Sequence, residues 1–276
     1  MKNISFSNSV TSIGEYAFAN CSGLISVVLP DSLTIISNCT FSGCSALNSI
    51  TIPNSVTQLS ISSFSGCSSL QNITLPNSLK IIGRASFLNC TSLLNIVIPN
   101  NVTNIYEKAF MGCTNLKSIE LPDSVTQIGF SSFEGCSSLS NVTIKGAITN
   151  IEESTFYNCR NLKTVTLPYS LTRIKEKAFN LCEELTDVLC LAKTPPVIEK
   201  ENCFYPGYYM AALHVPERSV EAYKAASFWS LFLNIKGDAS EDGPSDNSDY
   251  MKCDTNGDGV VNIADVNRVI NAILSH

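Results

Sequence analysis

The residues best placed to do chemistry lie at the end of the chain. In CDTNGDGVVNIAD, Asp254, Asn256, Asp258, Asn262 and Asp265 take positions 1, 3, 5, 9 and 12 of a twelve-residue loop, with Gly259 at position 6. Alternating oxygen donors around a tight glycine turn are the ligand set of a calcium loop, to which Val260 adds its backbone carbonyl at position 7. The chemistry this spacing points to is calcium binding. Behind the loop, Val266, Val269, Ile270, Ile273 and Leu274 follow i, i+3, i+4, i+7 and i+8, the apolar stripe of a helix. A lone helix of about a dozen residues is marginal in water. The stripe therefore needs a surface: the rest of this chain, a second copy, or a foreign protein partner.

Twelve cysteines are the second group to weigh. Cys21, Cys44, Cys67, Cys90, Cys113, Cys136, Cys159 and Cys182 recur every 23 residues, each three residues after a phenylalanine and three before a leucine. Stacked at a strand spacing of about 4.8 Å, such thiols have parallel Cβ vectors. A disulfide wants Cβ atoms about 3.5–4.5 Å apart and turned together. Zinc wants thiolates converging on one point about 2.3 Å away. A linear column offers neither, which leaves small buried apolar side chains. Cys39, Cys190, Cys203 and Cys253 stand off the column, and Cys190 falls at an inward strand position.

Catalysis finds few residues. His214 and His276 are the two histidines, and no G-x-S-x-G, G-x-G-x-x-G or H-E-x-x-H occurs. His214 alternates with Leu213 and Val215 and reads as an outward strand residue, without a carboxylate or nucleophile beside it in sequence. Glu107, Glu120, Glu153 and Glu176 fall at variable outward positions and read as a solvated surface. A net charge of -6 and a pI near 5.0 argue against a nucleic-acid partner. No apolar run approaches a membrane span.

These groups must be positioned by a repeat. The period of 23 lies in the range of solenoid units, each too small to bury its own inner face. In CSALNSITIPNSVTQLSISSF, Ile50-Thr51-Ile52 alternates inward and outward and stops at Pro53, a short strand. Val56 and Leu59 begin the return, and Phe64 fills the far side. Stacking the coils makes parallel strands and places Phe41, Cys44, Phe64, Cys67, Phe87, Cys90, Phe110 and Cys113 in a structural core ladder. Outward strand positions such as Val28, Thr51, Thr74, Val97 and Glu120 form a small, polar, β-branched face, either a binding surface or a ladder selected for strand propensity. Tyr16, Tyr106, Phe130 and Tyr157, on the irregular part of the coils, are further candidate anchors.

The consensus x-I-x-L-P-x-S-V-T-x-I-G-x-x-A-F-x-x-C-x-x-L, seen in IELPDSVTQIG (119–129) and IGEYAFANCSGL (13–24), resembles the BspA-type leucine-rich repeat. The fold expected is an α/β repeat solenoid with parallel short strands, a C-terminal cap and a small calcium-loop and helix module. The divisions are 1–190 repeats in about eight coils, 191–236 cap, 237–249 acidic flexible linker and 250–276 calcium module. In the cap, ALHVP reads as a strand and ERSVEAYKAA as a short helix. The resemblance implies a secreted or surface-displayed solenoid, several of whose relatives are adhesins. DGVVNIAD, with aspartate at loop position 12, resembles half of a type I dockerin, and this chain has one such loop where that family has two. The resemblance implies a cohesin-like partner.

The first ten residues lack the basic-then-apolar pattern of a secretion signal, and the chain starts partway through a coil. The natural protein is expected to continue upstream. Calcium, abundant outside cells, also favours an extracellular or cell-surface setting. The function expected is therefore a non-catalytic binding protein, its solenoid mediating protein–protein interaction or adhesion and its tail serving attachment. The rivals are a passive spacer whose tail alone docks, and a scaffold in a polysaccharide-degrading assembly.

Overall fold

A coil of 23 residues has two straight limbs, and each forms a sheet with its neighbours. In the computed structural model, which describes residues 2–205 and 210–239, the first limb gives a parallel sheet of Asn3–Ser5, Ser26–Val28, Ser49–Thr51 and Asn72–Thr74. A six-stranded parallel sheet follows, of Ser118–Leu121, Asn141–Ile144, Thr164–Leu167, Asp187–Cys190, Ala212–Pro216 and Asn234–Ala239. Residues 95–98 lie between the two sheets. They keep the strand's alternation, with Ile96 and Ile98 buried and Val97 82% exposed, yet they do not join the ladder. Register steps by 23 residues, as in Ile50 beside Ile73 and Val142 beside Val165.

The return limb carries a second set of strands that the sequence reading did not include. Ile35–Ile36, Gln58–Leu59, Ile81–Ile82, Asn104–Ile105 and Gln127–Ile128 form one parallel sheet. Asn150–Ile151, Arg173–Ile174 and Val197–Ile198 form another. Two residues per coil suffice, because the inward member (Ile36, Leu59, Ile82, Ile105) is buried and the next coil supplies the ladder partners.

The expected α/β class is corrected to a β-solenoid. The third side of each coil is an arc of turns around the repeated phenylalanine, and among the described residues the one α-helix is Val220–Ala225. Two residues per arc sit in the left-handed region, two before and two after the phenylalanine. Around Phe41 these are Cys39 (φ 53) and Gly43 (φ 74), and around Phe110 they are Lys108 (φ 57) and Gly112 (φ 73). An L-residue there breaks a right-handed helix. Glycine or asparagine fills the later position in Asn20, Gly43, Gly66, Asn89, Gly112, Gly135 and Asn158, and Leu181 is the exception. The geometry turns alternate N–H groups along the stack. Cys39, Phe41 and Gly43 donate to the carbonyls of Ile61, Ser63 and Ser65 at 2.8, 2.9 and 2.7 Å. A helix would use those donors within its own coil; here they bind coil to coil.

The core runs the length of the stack. Phe18, Phe41, Phe64, Phe87, Phe110, Phe133, Phe156, Phe179 and Phe204 form parallel offset pairs, with neighbouring ring centroids 4.8–5.6 Å apart and planes within 11°. Leucines from Leu24 to Leu185 and the inward strand residues complete it. The described residues up to Ala239 form one compact unit. The stack passes beyond the last regular repeat, since Ala212–Pro216 and Asn234–Ala239 extend the same sheet and Val220–Ala225 is the expected helix. The strand Asn234–Ala239 includes residues 237–239, which the sequence reading placed in the linker; the rest of that expected linker lies outside the described residues.

Candidate interaction surfaces

Each coil spends its inward residues on the core, so chemistry is confined to three outward surfaces. On the first sheet, outward residues form straight rows. Val28, Thr51, Thr74, Val97 and Glu120 are exposed, as expected, and Thr143 and Thr166 are half-buried. Beside them Ser26, Ser49, Asn72, Asn95, Ser118 and Asn141 are hydrogen-bonded in places, as in Ser26 Oγ donating to Asn3 Oδ1 at 2.9 Å and the Thr164–Asn141 pair. The row's charge is balanced locally, with Lys145 Nζ 2.7 Å from Glu120 Oε1.

On the return limb the exposed row is threonine at Thr34, Thr57, Thr103, Thr126, Thr149 and Thr172, with Lys80 between Thr57 and Thr103. Thr126 Oγ1 donates to the Thr103 carbonyl at 3.3 Å, and Thr172 Oγ1 to that of Thr149 at 2.9 Å. The hydroxyls of Thr57, Thr103, Thr126 and Thr172 thus tether their coils to the previous ones. Asn104 Nδ2 donates to Gln127 Oε1 at 2.8 Å, joining the adjoining row.

The third surface is the ridge formed by the turn arcs. It carries the exposed aromatics Tyr16 and Phe130 and the half-buried Tyr106 and Tyr157, four residues singled out from sequence. The Lys108 ammonium sits 5.7 Å from the Phe130 ring centroid, within reach of a cation–π attraction. Glu107, Glu153 and Glu176 lie on this ridge, the surface expected of them; Glu120 is on the first sheet.

Cys21 at the start of the cysteine column is exposed, whereas the other seven, Cys44 to Cys182, lie in the core, where each thiol has a role that sequence spacing did not reveal. Cys67 Sγ donates to the Phe41 carbonyl at 3.2 Å, and Cys44, Cys90, Cys113, Cys136, Cys159 and Cys182 do likewise to the phenylalanine 26 residues earlier. The described cysteines are all free thiols. Burial pushes Cys44 up to about 11 and Cys90 and Cys136 up to about 12, since a thiolate there has no water. Cys190 is inward as expected and is raised to about 11 by burial. Its thiol donates to the Tyr223 hydroxyl oxygen at 3.2 Å, because Tyr223 gives its own proton to the Ala192 carbonyl at 2.7 Å.

His214 is the outward strand residue expected of it, but it is not alone. Stacked strands bring Asp238 Oδ1 to 2.8 Å from Nδ1 and Asp187 Oδ1 to 3.2 Å from Nε2. Both carboxylates lie on neighbouring strands, 24 and 27 residues away, a distance that a linear reading does not connect. Asp187 is held below the usual carboxylate range, first by the Thr186 hydroxyl, with burial opposing and His214 and Lys236 adding to the lowering. The cluster contains no hydroxyl or thiol nucleophile facing the imidazole among its hydrogen-bond partners. Among the described residues no three His, Cys, Asp or Glu side chains are grouped to hold a metal, and no helix is long and apolar enough to cross a membrane. The calcium-loop residues Asp254, Asn256, Asp258, Val260, Asn262 and Asp265, and the stripe Val266, Val269, Ile270, Ile273 and Leu274, lie outside the described residues.

Comparison with known proteins agrees with this architecture. The family model for the BspA type leucine rich repeat region matches residues 1–117 and 103–231, with six copies. The crystal structure of a T. pallidum leucine rich repeat protein superimposes with a TM-score of 0.56 at 32% identity, covering 58% of this chain and 78% of that one. A leucine rich cell surface protein from Faecalibacterium prausnitzii superimposes with a TM-score of 0.51 at 22% identity, covering 87% of this chain and 80% of that one. At that identity it speaks for the fold alone. No curated protein matches the chain.

Proposed function

We propose, on the premise that this chain belongs to the BspA-type leucine-rich repeat family, that it is a non-catalytic extracellular or cell-surface protein whose solenoid binds other proteins. The observation that carries this reading is the distribution of residues around each coil. Inward side chains are committed to the phenylalanine, cysteine and leucine columns, whereas the exposed rows repeat from coil to coil as an extended surface. Repeat solenoids use such surfaces for large, shallow contacts.

The C-terminal segment completes the reading. Asp254, Asn256, Asp258, Val260, Asn262 and Asp265 bind calcium and order the loop, and the stripe Val266, Val269, Ile270, Ile273 and Leu274 then serves as an attachment face for a cohesin-like or other protein module. The alternative, a passive spacer docked into a surface or polysaccharide-degrading assembly by this tail alone, makes a different forecast.

Deleting 240–276 leaves the last described strand intact and separates the two. Adhesion of the truncated chain to protein-coated surfaces at the level of the full chain supports a binding solenoid. Adhesion lost with the tail supports the spacer. Titration calorimetry on the full chain tests the loop directly: calcium binding abolished by Asp258→Ala is expected, and a binding isotherm that survives this substitution, or its absence from the unaltered chain, rejects the loop assignment.

A further inference from the structure

Building on the reading of the solenoid as a protein-binding element, we propose that its docking surface is the turn ridge around Phe130, and that the occupant is a basic, arginine-bearing segment of a partner protein seated on that ring between Glu107 and Glu153.

Backbone hydrogen bonds fix the geometry. Lys108 N donates to Phe130 O at 3.1 Å, Ser131 N to Glu153 O at 3.0 Å and Ser154 N to Glu176 O at 3.0 Å. These make Glu107, Phe130, Glu153 and Glu176 consecutive rungs of one row, a strand spacing of about 4.8 Å apart. A second row follows from Gly112 N donating to Glu134 O and Gly135 N to Tyr157 O, both at 2.8 Å, which aligns Met111, Glu134 and Tyr157. Phe130 is 42% exposed, unlike the fully buried core rings of Phe110 and Phe133 on either side of it in sequence. Its ring already draws a cation, the Lys108 ammonium at 5.7 Å. Glu176 is held by Lys177 at 3.4 Å, whereas Glu107, Glu134 and Glu153 make no ion pair among the described residues.

An exposed aromatic flanked on the adjacent rungs by carboxylates outside any ion pair among the described residues, with Arg84 on the rung beyond Glu107, has a definite complement. A guanidinium stacks on the ring face and donates in its own plane to a carboxylate, which a compact ammonium such as that of Lys108 does less well. Aromatic residues and arginine are also the types that dominate binding energy where protein surfaces meet. The other two surfaces lack this combination. The sheet rows are mainly hydroxyl, amide and β-branched side chains, and among their charged residues Glu120 pairs with Lys145, Arg173 with Glu199, and His214 with Asp187 and Asp238. A segment lying along the stack would meet Glu107, Phe130 and Glu153 in turn, with Met111 and Tyr157 available to its apolar residues.

The test uses the full chain and a short fluorescein-labelled peptide with arginines interleaved with leucines, followed by fluorescence anisotropy near physiological salt. The same peptide with glutamate in place of arginine is the comparison. The unaltered chain is expected to bind the arginine peptide and not the glutamate one. Phe130→Ala should weaken binding about tenfold, and Phe130→Tyr, which keeps the ring, should preserve it. Glu107→Gln with Glu153→Gln should weaken it by a similar factor and flatten its salt dependence. Glu183→Gln with Glu184→Gln makes the same charge change elsewhere on the surface and should leave binding unchanged. Phe130→Ala binding as tightly as the parent, or the control pair losing as much as the ridge pair, overturns the proposal, as does the absence of binding by the parent. Adhesion to protein-coated surfaces retained by Phe130→Ala would discard the ridge and leave the broader reading standing. Adhesion absent from the parent chain would discard the broader reading itself.

Discussion

The regular coils and the segment that ends them share one sheet and one aromatic core, yet they are built on opposite rules. From Phe18 to Phe204 each coil repeats the last, with rings nearly parallel and arc N–H groups bonded to the next coil. Past that point the ladder of nearly parallel phenylalanine rings ends. Trp229 meets Phe204 at 50° and Tyr223 at 77°, and Phe232 meets Phe204 at 72°. Single polar bonds pin this cluster: Trp229 Nε1 to the Pro196 carbonyl at 2.6 Å, Tyr223 to Ala192 and Ser219 Oγ to Lys193 at 2.7 Å each. The contrast shows what each region must do. A stack grows by presenting at its end the same surface it received, whereas a terminus must present something a further coil does not fit. Crossed rings do that in the core. At the sheet edge the work falls to Lys236, Gly237 and Asp238, next to a register shift between His214 and Pro216.

Removing a ring from the middle of the stack breaks the comparison most severely. Phe110→Ala takes a fully buried ring from between Phe87 and Phe133, each 5.2 Å away. The expected loss is about 3–5 kcal/mol. Because each coil contacts only its neighbours, denaturant unfolding followed by circular dichroism is expected to separate into two steps. In the cap, Trp229→Phe should lose less, about 1–3 kcal/mol, by leaving the buried Pro196 carbonyl without its donor. Its faster hydrogen exchange should stay local to 212–239. Equal losses from the two variants would mean that the repeated ladder has no special part in stability.

The thiol column tests the repeat at finer scale. Cys113→Ala removes a buried sulfur and its bond to the Phe87 carbonyl at 3.2 Å, a loss of about 1–2 kcal/mol. With Cys44 raised to about 11 and Cys90 and Cys136 to about 12, thiolate is scarce at pH 8. Among the described cysteines, a maleimide reagent followed by peptide mass mapping should modify exposed Cys21 rapidly and half-buried Cys39 more slowly. The seven buried members of the column should react only in denaturant. Modification of Cys113 in the native state would show that coils open one by one.

The period, the inward strand residues and the burial of Phe41, Cys44 and their successors were legible because each is a position that recurs in every coil. Identical residues at a fixed interval signal identical surroundings, and the core follows. The arc was harder to read, since backbone angles rather than side chains define it. Cys39, Ser62, Ala85 and Lys108 share a positive φ and almost no chemistry. Gly43, Gly66 and Gly112 were the available signal, and they mark just one of the two turn positions. The second sheet escaped notice because a two-residue strand carries too little alternation to stand out. The ridge was half legible. Its aromatics were visible, but the adjacency of Glu107, Phe130 and Glu153 depends on coils stacking in register, and the same holds for His214 and its two aspartates.

That cluster supplies the smallest effect, and it falls on the cap side of the comparison. Asp187 lies on the last regular strand, His214 on the next and Asp238 on the one after, so the imidazole spans the junction between repeat and terminus. A neutral imidazole has one N–H and donates to one carboxylate, whereas an imidazolium donates to both. The Asp187 carboxyl is held below its ordinary value by the Thr186 hydroxyl and by His214. A carboxylate depressed in the folded state stabilises it above the unfolded value, near about 3.9, and the gain disappears as pH falls through the lower folded value. Asp187→Asn should therefore melt below the parent at pH 6, with the gap closing as pH falls below about 4. Because the side chain is about half exposed, the difference should be small and should shrink in high salt. A gap that persists unchanged at the acid end would assign Asp187 a packing role in place of an electrostatic one, leaving the junction held as the coils are, by backbone ladder and core.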